Sequence, residues 1–353
     1  MTQDLPHTTD NYEAYNNSGS NGIPCDSSYI KVFRQSFLPT LYSIIFIVGF
    51  IGNGLVLCVL LKHQRRSNML DVCLFNLGLS DLLFLISLPF WAHYAATGEW
   101  IFGIFMCHAV TAFYILGFYG SIFFMMLMTV DRYVVTVHAQ TTLYFRCRSS
   151  KVYIALVFLM WVLSLLASLP DIIMKNNVTN VTNWTCEANY HDGHLWRKFS
   201  YIELNFLGLV LPLFVMGFCY SQIIPILITM NSQQKHKAIK LILVLIVIFF
   251  LCWIPYNVVV FLYFLVYTDL YNITNSEWCH LNIAMQWTET ITFIHCCLNP
   301  IIYAIVGQRF RTLMAKTLSE WFAICFGWCK PQTDKRGSMF STRSSMMTNT
   351  TVL

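Results

Sequence analysis

Glu289-Thr290-Ile291-Thr292-Phe293-Ile294-His295-Cys296-Cys297-Leu298-Asn299-Pro300-Ile301-Ile302-Tyr303 lies within the last long apolar run of the chain, and its composition decides the fold. The run is long enough to cross a membrane, yet it carries a carboxylate, an imidazole, an asparagine and a proline. Each such group costs free energy in hydrocarbon, so a helix that keeps them faces other helices and serves as a moving part.

The rest of the 353-residue chain shares this preference: 56% of residues are hydrophobic and 11% charged, and the charged share is about half that of an average soluble domain. Mostly apolar runs of roughly 20 residues or more, the length that crosses ~30 Å of hydrocarbon, fall near 38–61, 71–96, 105–136, 152–173, 200–228, 239–266 and 281–306. The expected fold is an all-α membrane protein, a seven-transmembrane helix bundle over residues 37–307. Connections are short except for 174–199 and the tail, which leaves no room for an inserted soluble domain.

All of the 22 Lys and Arg except Lys31, Arg34, Lys175, Arg197 and Lys198 fall on one side of the spans. Basic loops stay in the cytoplasm, so the N-terminus is expected outside and the tail inside, and the net charge of +5 reports topology rather than nucleic-acid binding. The first ~35 residues are polar and have no basic segment followed by a short apolar core, so the first span is expected to direct its own insertion. Glycosylation sequons at Asn16, Asn177, Asn180, Asn183 and Asn272 all lie on the expected outer side.

Of 13 cysteines, Cys25, Cys107, Cys186 and Cys279 face the oxidising side, and four cysteines allow three pairings. Two bridges are the simplest expectation: Cys107 tethering the loop that carries Cys186, and Cys25 reaching Cys279 so that the N-terminus crosses the mouth of the bundle. Cysteines inside the spans, among them Cys296 and Cys297, read as small packing residues rather than metal ligands.

Residues 1–36 are polar and acidic, and their composition predicts disorder. Tyr12 and Tyr15 stand beside acids there; sulfated, they would offer anions to a basic partner, and otherwise they are incidental to a solvated tail. After the last span, 308–322 reads as an amphipathic helix on the inner leaflet, with Phe310, Leu313, Leu318, Trp321 and Phe322 alternating with Arg309, Arg311 and Lys316. Cys325 and Cys329 follow as palmitoylation candidates. The remaining tail, within 323–353, is rich in Ser and Thr and suits phosphorylation and capture by a phosphate-reading partner.

Asp131-Arg132-Tyr133 ends the third span at its expected inner end, where an always-charged guanidinium beside a carboxylate can latch and release. Asp81 in span two is an intramembrane carboxylate whose candidate neighbours are Asn53, Ser121 and Asn299, and a sodium ion held by Asp81, Ser121 and Asn299 would bias the packing of the bundle. Trp253 beside Pro255 places a large indole at a helix kink. Toward the outer side, Tyr42, Trp91, Tyr114, Tyr256 and Glu289 are expected to converge on an aromatic-walled cavity with one deep anion, suited to an ammonium or guanidinium.

These residues carry a resemblance. Asn53, Asp81, Asp131-Arg132-Tyr133, Trp161, Pro212 with Tyr220, Cys252-Trp253-Ile254-Pro255 and Asn299-Pro300-Ile301-Ile302-Tyr303 resemble the motifs of class A (rhodopsin-like) G-protein-coupled receptors. Ser87-Leu88-Pro89-Phe90-Trp91, Trp100-Ile101-Phe102-Gly103, the four outer cysteines, Glu289 and His295-Cys296-Cys297 narrow it to the chemokine receptors. Thr288-Glu289-Thr290 and the 235–240 run look most like the CC branch, with XC-type receptors the nearest alternative. The resemblance implies two-step binding, in which the chemokine core meets the receptor N-terminus and outer loops before its own N-terminus reaches toward Glu289. It also implies a plasma-membrane receptor coupled to Gi, with calcium release and chemotaxis downstream, receptor kinases and arrestin at the tail, and homo- or hetero-dimers. Val134-Val135-Thr136 after the Asp-Arg-Tyr motif, and Pro225, depart from typical signalling members; the competing reading is an atypical or decoy receptor that captures chemokines without G-protein activation. No nucleophile–base pair indicates an enzyme, and adjacent helical positions such as His295 and Cys296 are expected to point apart.

Overall fold

The computed structural model describes residues 33–63, 69–138, 150–179, 184–188, 194–229 and 233–325. Helices dominate: α1 is Leu38–His63, α2 Met69–Thr97, α3 Gly103–Val137 and α4 Ser150–Met174. A fifth rod, α5, comprises His194–Asn205, a π-helical Phe206–Val210 and Leu211–Thr229, followed by α6 Gln233–Tyr267, α7 Asn275–Val306 and α8 Gln308–Cys325. Among the described residues seven of these helices are long and apolar enough to cross a membrane. The chain divides into two compact units, Met1–Met314 with all seven spans and Ala315–Leu353.

Local chemistry sets several boundaries. Gly98 and Gly103 both sit at φ +76°, a left-handed conformation that an L side chain rarely adopts, and they turn the chain from α2 into α3. Between them the Trp100 indole N–H donates to the Gly103 carbonyl at 2.9 Å and pins the turn. At the start of α7, the Thr274 hydroxyl accepts from the Glu277 amide while the Glu277 carboxylate accepts from the Thr274 amide, a reciprocal cap for otherwise orphaned donors.

Packing inside the first unit is inverted relative to a soluble protein. Polar side chains such as Asn53, Asp81, Ser121, Asn257 and Asn299 are buried, while Ile154, Phe158, Phe214 and Leu251 are left exposed. In a membrane the outward apolar side chains meet lipid, and a buried polar group is best satisfied within its own helix or by a neighbouring one, as Ser80 is by Asn76 and Asp81 by Ser121. Close approach therefore falls to small residues. A Cβ added to Gly117 on α3 would stand 2.7 Å from both the Phe84 nitrogen and the Ser80 carbonyl oxygen of α2, and one added to Gly120 would stand 2.5 Å from the Ser80 hydroxyl.

The structure differs from the sequence reading in four places. Lys175–Thr179 and Trp184–Ala188 form an antiparallel hairpin, β1–β2, with Asn177 opposite Cys186, in a stretch expected to be only a long connection. The fifth rod starts at His194, before the expected 200, because this amphipathic first turn lacks the continuous apolar run on which span limits were drawn. The eighth helix continues to Cys325, past the expected end at 322 and into the segment assigned to the tail, and helical order begins at Phe33, inside the segment 1–36 assigned to disorder.

Gly117→Ala forces its methyl into α2 backbone, and overpacking of this kind costs ~1–3 kcal/mol. The purified variant should melt several degrees below the unsubstituted protein, whereas Gly54→Ala, whose Cβ has nothing within 4 Å, should leave the melting temperature level or slightly raised. A thiol-reactive fluorescence melt in detergent checks both.

Candidate functional site

At the end of the bundle that carries the hairpin, Cys107 near the start of α3 is bridged to Cys186 on β2, with Cα atoms 5.7 Å apart. Cys279 in the first turns of α7 is also disulfide-bonded, while Cys25 lies outside the described residues. Beneath this end, α1, α2, α3, α6 and α7 contribute one buried aromatic group. The Phe293 ring packs edge-on against Tyr42 at 4.9 Å and Tyr114 at 5.8 Å, and Phe84 lies 4.8 Å from Tyr114. Glu289, buried on α7 one turn before Phe293, lies within electrostatic reach of the Tyr114, Tyr256 and Tyr263 hydroxyls.

Tyr42, Tyr114, Tyr256 and Glu289 are thus brought together, but Trp91 belongs to a neighbouring stack, 5.5 Å from Trp100 and 6.3 Å from Tyr94. Phe84 and Phe293 join the group without having been singled out by sequence. Each is one more aromatic in an apolar run, and only the register of α2 against α7 selects it.

One layer deeper, Trp253 stacks 4.2 Å from Phe118, 5.4 Å from His295 and 5.7 Å from Phe249. Its indole N–H is buried without a hydrogen-bond partner. Pro255 follows on α6, and the amide of Asn257 donates to the Trp253 carbonyl at 3.0 Å. The indole is therefore held by ring packing alone, an arrangement that can re-form in a second position.

Next to this layer, Asp81 accepts from Ser121 Oγ at 3.0 Å and from Asn299 Nδ2 at 2.7 Å, tying α2 to α3 and α7. Asn53, expected beside Asp81, instead donates to the Cys296 carbonyl at 2.9 Å. The reason is Pro300: it has no N–H to offer the carbonyl four residues back, and Asn53 on α1 takes that acceptor. His295 and Cys296, expected to point apart, do not: Cys296 Sγ lies 3.4 Å from His295 Nε2 and hydrogen-bonds the Asp81 carboxylate.

At the far end of α3, Arg132 pairs with Asp131 at 2.5 Å, both largely covered, and the guanidinium Nε has no partner. Tyr133 packs 5.9 Å from Phe218 of α5, and its hydroxyl lies 3.3 Å from His138. Tyr220 on α5 and Tyr303 on α7 both carry buried hydroxyls without a partner, Tyr220 within electrostatic reach of Arg132. Tyr303 packs 5.4 Å from Phe310 in the first turn of α8.

Several expected positions cannot be placed. Tyr12, Tyr15, Asn16, Asn180, Asn183 and Cys329 lie outside the described residues; Asn177 is on β1, Asn272 is exposed between α6 and α7, and Cys325 ends α8.

Residues 52–303 match the family model described as 7 transmembrane receptor (rhodopsin family). The chain is 42% identical to human C-C chemokine receptor type 4 over 86% of its own length and 84% of that receptor's. It is 39% identical to human C-C chemokine receptor type 1 over 91% of its length and 90% of the relative's. The chain therefore belongs to the rhodopsin-like seven-transmembrane receptors and, within them, to the chemokine receptor family, as a multi-pass plasma-membrane receptor rather than an enzyme.

Proposed function

We propose that the chain is a plasma-membrane receptor for chemokines of the C-C type, with its N-terminus outside and its tail in the cytoplasm, that activates Gi, raises intracellular calcium and drives cell migration. The observation that carries this reading is the position of Glu289. It is a buried carboxylate among the Tyr42, Tyr114 and Tyr256 group, and α3, which carries Tyr114, is the helix whose start is tethered to the hairpin, so the basic N-terminus of a chemokine entering at that end can reach toward it. Charge pairing and ring faces together select an ammonium or guanidinium there. Chemokine entry displaces the aromatic layer, Trp253 re-packs beside Pro255, and the Asp131–Arg132 pair opens so that Gi can enter against Arg132. Palmitoylation at Cys325 and Cys329 would hold α8 to the inner leaflet, and the Ser/Thr-rich tail would recruit receptor kinases and arrestin once phosphorylated.

Sodium is part of the proposal. A hard monovalent cation takes oxygen ligands, which the Asp81 carboxylate and the Ser121 hydroxyl supply directly; Asn299, whose Nδ2 donates to Asp81 here, would turn its amide so that the oxygen faces the ion. Bound there, it favours the packing in which α2, α3 and α7 stay joined, and so opposes activation. Val134-Val135-Thr136 favours a second reading, a decoy that internalises chemokines without G-protein activation.

One experiment separates the two: a panel of C-C and XC chemokines applied to cells expressing the chain, with Gi activation and ligand uptake read together. A Gi response to one or a few C-C ligands is expected, and uptake without activation would give the decoy. Arg132→Ala should abolish that response while leaving chemokine capture intact. Glu289→Gln should lower signalling potency by at least about tenfold, worth ~1.4 kcal/mol, with a smaller change in capture; equal losses in both would overturn two-step binding. Replacing sodium by an organic cation should raise agonist affinity in the unsubstituted receptor and leave Asp81→Asn unaffected, as a radioligand displacement series would show.

A further inference from the structure

The ligand atoms of Asp81, His295 and Cys296 all lie within 4.8 Å of one another, and all three side chains are buried. This set does not belong to sodium, which has little affinity for sulfur or imidazole. It joins one carboxylate oxygen, one aromatic nitrogen and one thiol sulfur, the donors that Zn²⁺ takes in sites with three protein ligands and one open position. We propose that these three residues form a Zn²⁺ site that bridges α2 and α7, with the fourth position left for water.

The details of the cluster are those of a metal ligand set. A backbone carbonyl can only accept, so the contact between His295 Nδ1 and the Thr292 carbonyl fixes the proton on Nδ1 and leaves the Nε2 lone pair free. That outward bond is the support a ligating histidine ordinarily has. Cys296 Sγ lies 3.4 Å from Nε2 and 3.8 Å from Nδ1, beside both ring nitrogens rather than along the Nε2 lone pair. Tetrahedral bonds of ~2.0–2.3 Å put neighbouring ligand atoms ~3.3–3.8 Å apart, so loading needs Cys296 Sγ to swing toward the Nε2 lone pair and Asp81 to close by up to about 1.5 Å. The Cys296 backbone is held from the other side by Asn53, whose own Oδ1 is buried without a hydrogen-bond partner. The Tyr303 hydroxyl, within electrostatic reach of Asp81, is likewise buried and without a partner. Two buried polar atoms close to the cluster thus have no partner of their own.

Binding exchanges protons in a simple way. Cys296 gives up its thiol proton to solvent and Zn²⁺ takes the thiolate, while His295 keeps its Nδ1 proton on the Thr292 carbonyl and ligates through Nε2. Asp81 then faces the metal rather than sodium, so the two cations exclude each other. Because the ion joins α2 to α7, it locks their packing and acts as an inhibitor of receptor switching. Burial makes loading slow, and titrations have to run to equilibrium.

The test uses the purified full-length receptor in lipid nanodiscs and Co²⁺ as the optical probe. One equivalent should give a thiolate-to-cobalt charge-transfer band that stoichiometric Zn²⁺ abolishes and high sodium weakens. Cys296→Ser should remove the band and His295→Gln and Asp81→Asn should each weaken or remove it, whereas Cys297→Ser should keep it, since that thiol is committed to the Ile45 carbonyl at 3.2 Å. Melting curves recorded without metal show which variants remain folded. Absence of a saturable one-equivalent band in the unsubstituted receptor overturns the proposal even if every variant misfolds, and so does a band that survives Cys296→Ser. No chemokine enters the measurement, so its failure leaves the receptor assignment standing and the reverse also holds.

Discussion

The carboxylate of Asp81 is the constraint around which the bundle is organised. An acid at the centre of a membrane helix costs about 2.5–3.5 kcal/mol on insertion scales, and nothing on α2 itself can offset that cost. Ser121 and Asn299 supply the donors from α3 and α7, so the cost is met only when three helices meet in one register. Gly117 and Gly120 make that meeting possible by letting α3 lie against the α2 backbone at Ser80 and Phe84. The polar contact specifies the packing, and the glycines permit it.

A second constraint works through absence. Pro300 removes one backbone donor from α7, and the orphaned Cys296 carbonyl is claimed by Asn53 on α1. Gly52 keeps that side open, since a Cβ there would stand 2.9 Å from the Pro300 ring. A helix that is locally short of its own hydrogen bonds has to borrow from its neighbours, and borrowed bonds can be exchanged at less cost than a continuous helix can be bent.

Between these polar ties and the Glu289 region lies a layer held by rings: Tyr42, Phe84, Tyr114, Phe293, His295, Trp253, Phe249 and Phe118. Ring packing is strong in sum but tolerant of small rotations, because its stabilisation is spread over many weak contacts. At the opposite end, the Asp131–Arg132 pair, the unpartnered Tyr220 and Tyr303 hydroxyls and the Tyr303–Phe310 contact leave several polar groups unused. Buried polar atoms without partners are costly, and they mark the end of the bundle where a different packing has bonds still to gain.

Seven spans and the positions of the intramembrane charges were legible in the chain, because length, hydropathy and charge act residue by residue. Asp81 could be recognised as needing partners for the same reason, and two of them, Ser121 and Asn299, could be named as the polar residues available at that depth. The hairpin Lys175–Thr179 with Trp184–Ala188 could not be read, since short polar strands carry no hydrophobic period. Nor could the separation of Trp91 from Tyr42 and Tyr114, or the turning of His295 and Cys296 onto one carboxylate: these depend on the rotation of each helix about its axis. The amino-acid sequence settled which groups must leave water and lipid; only the packed bundle decided which of them meet, because a partner on another helix is fixed by register, close approach and a missing backbone bond rather than by spacing along the chain.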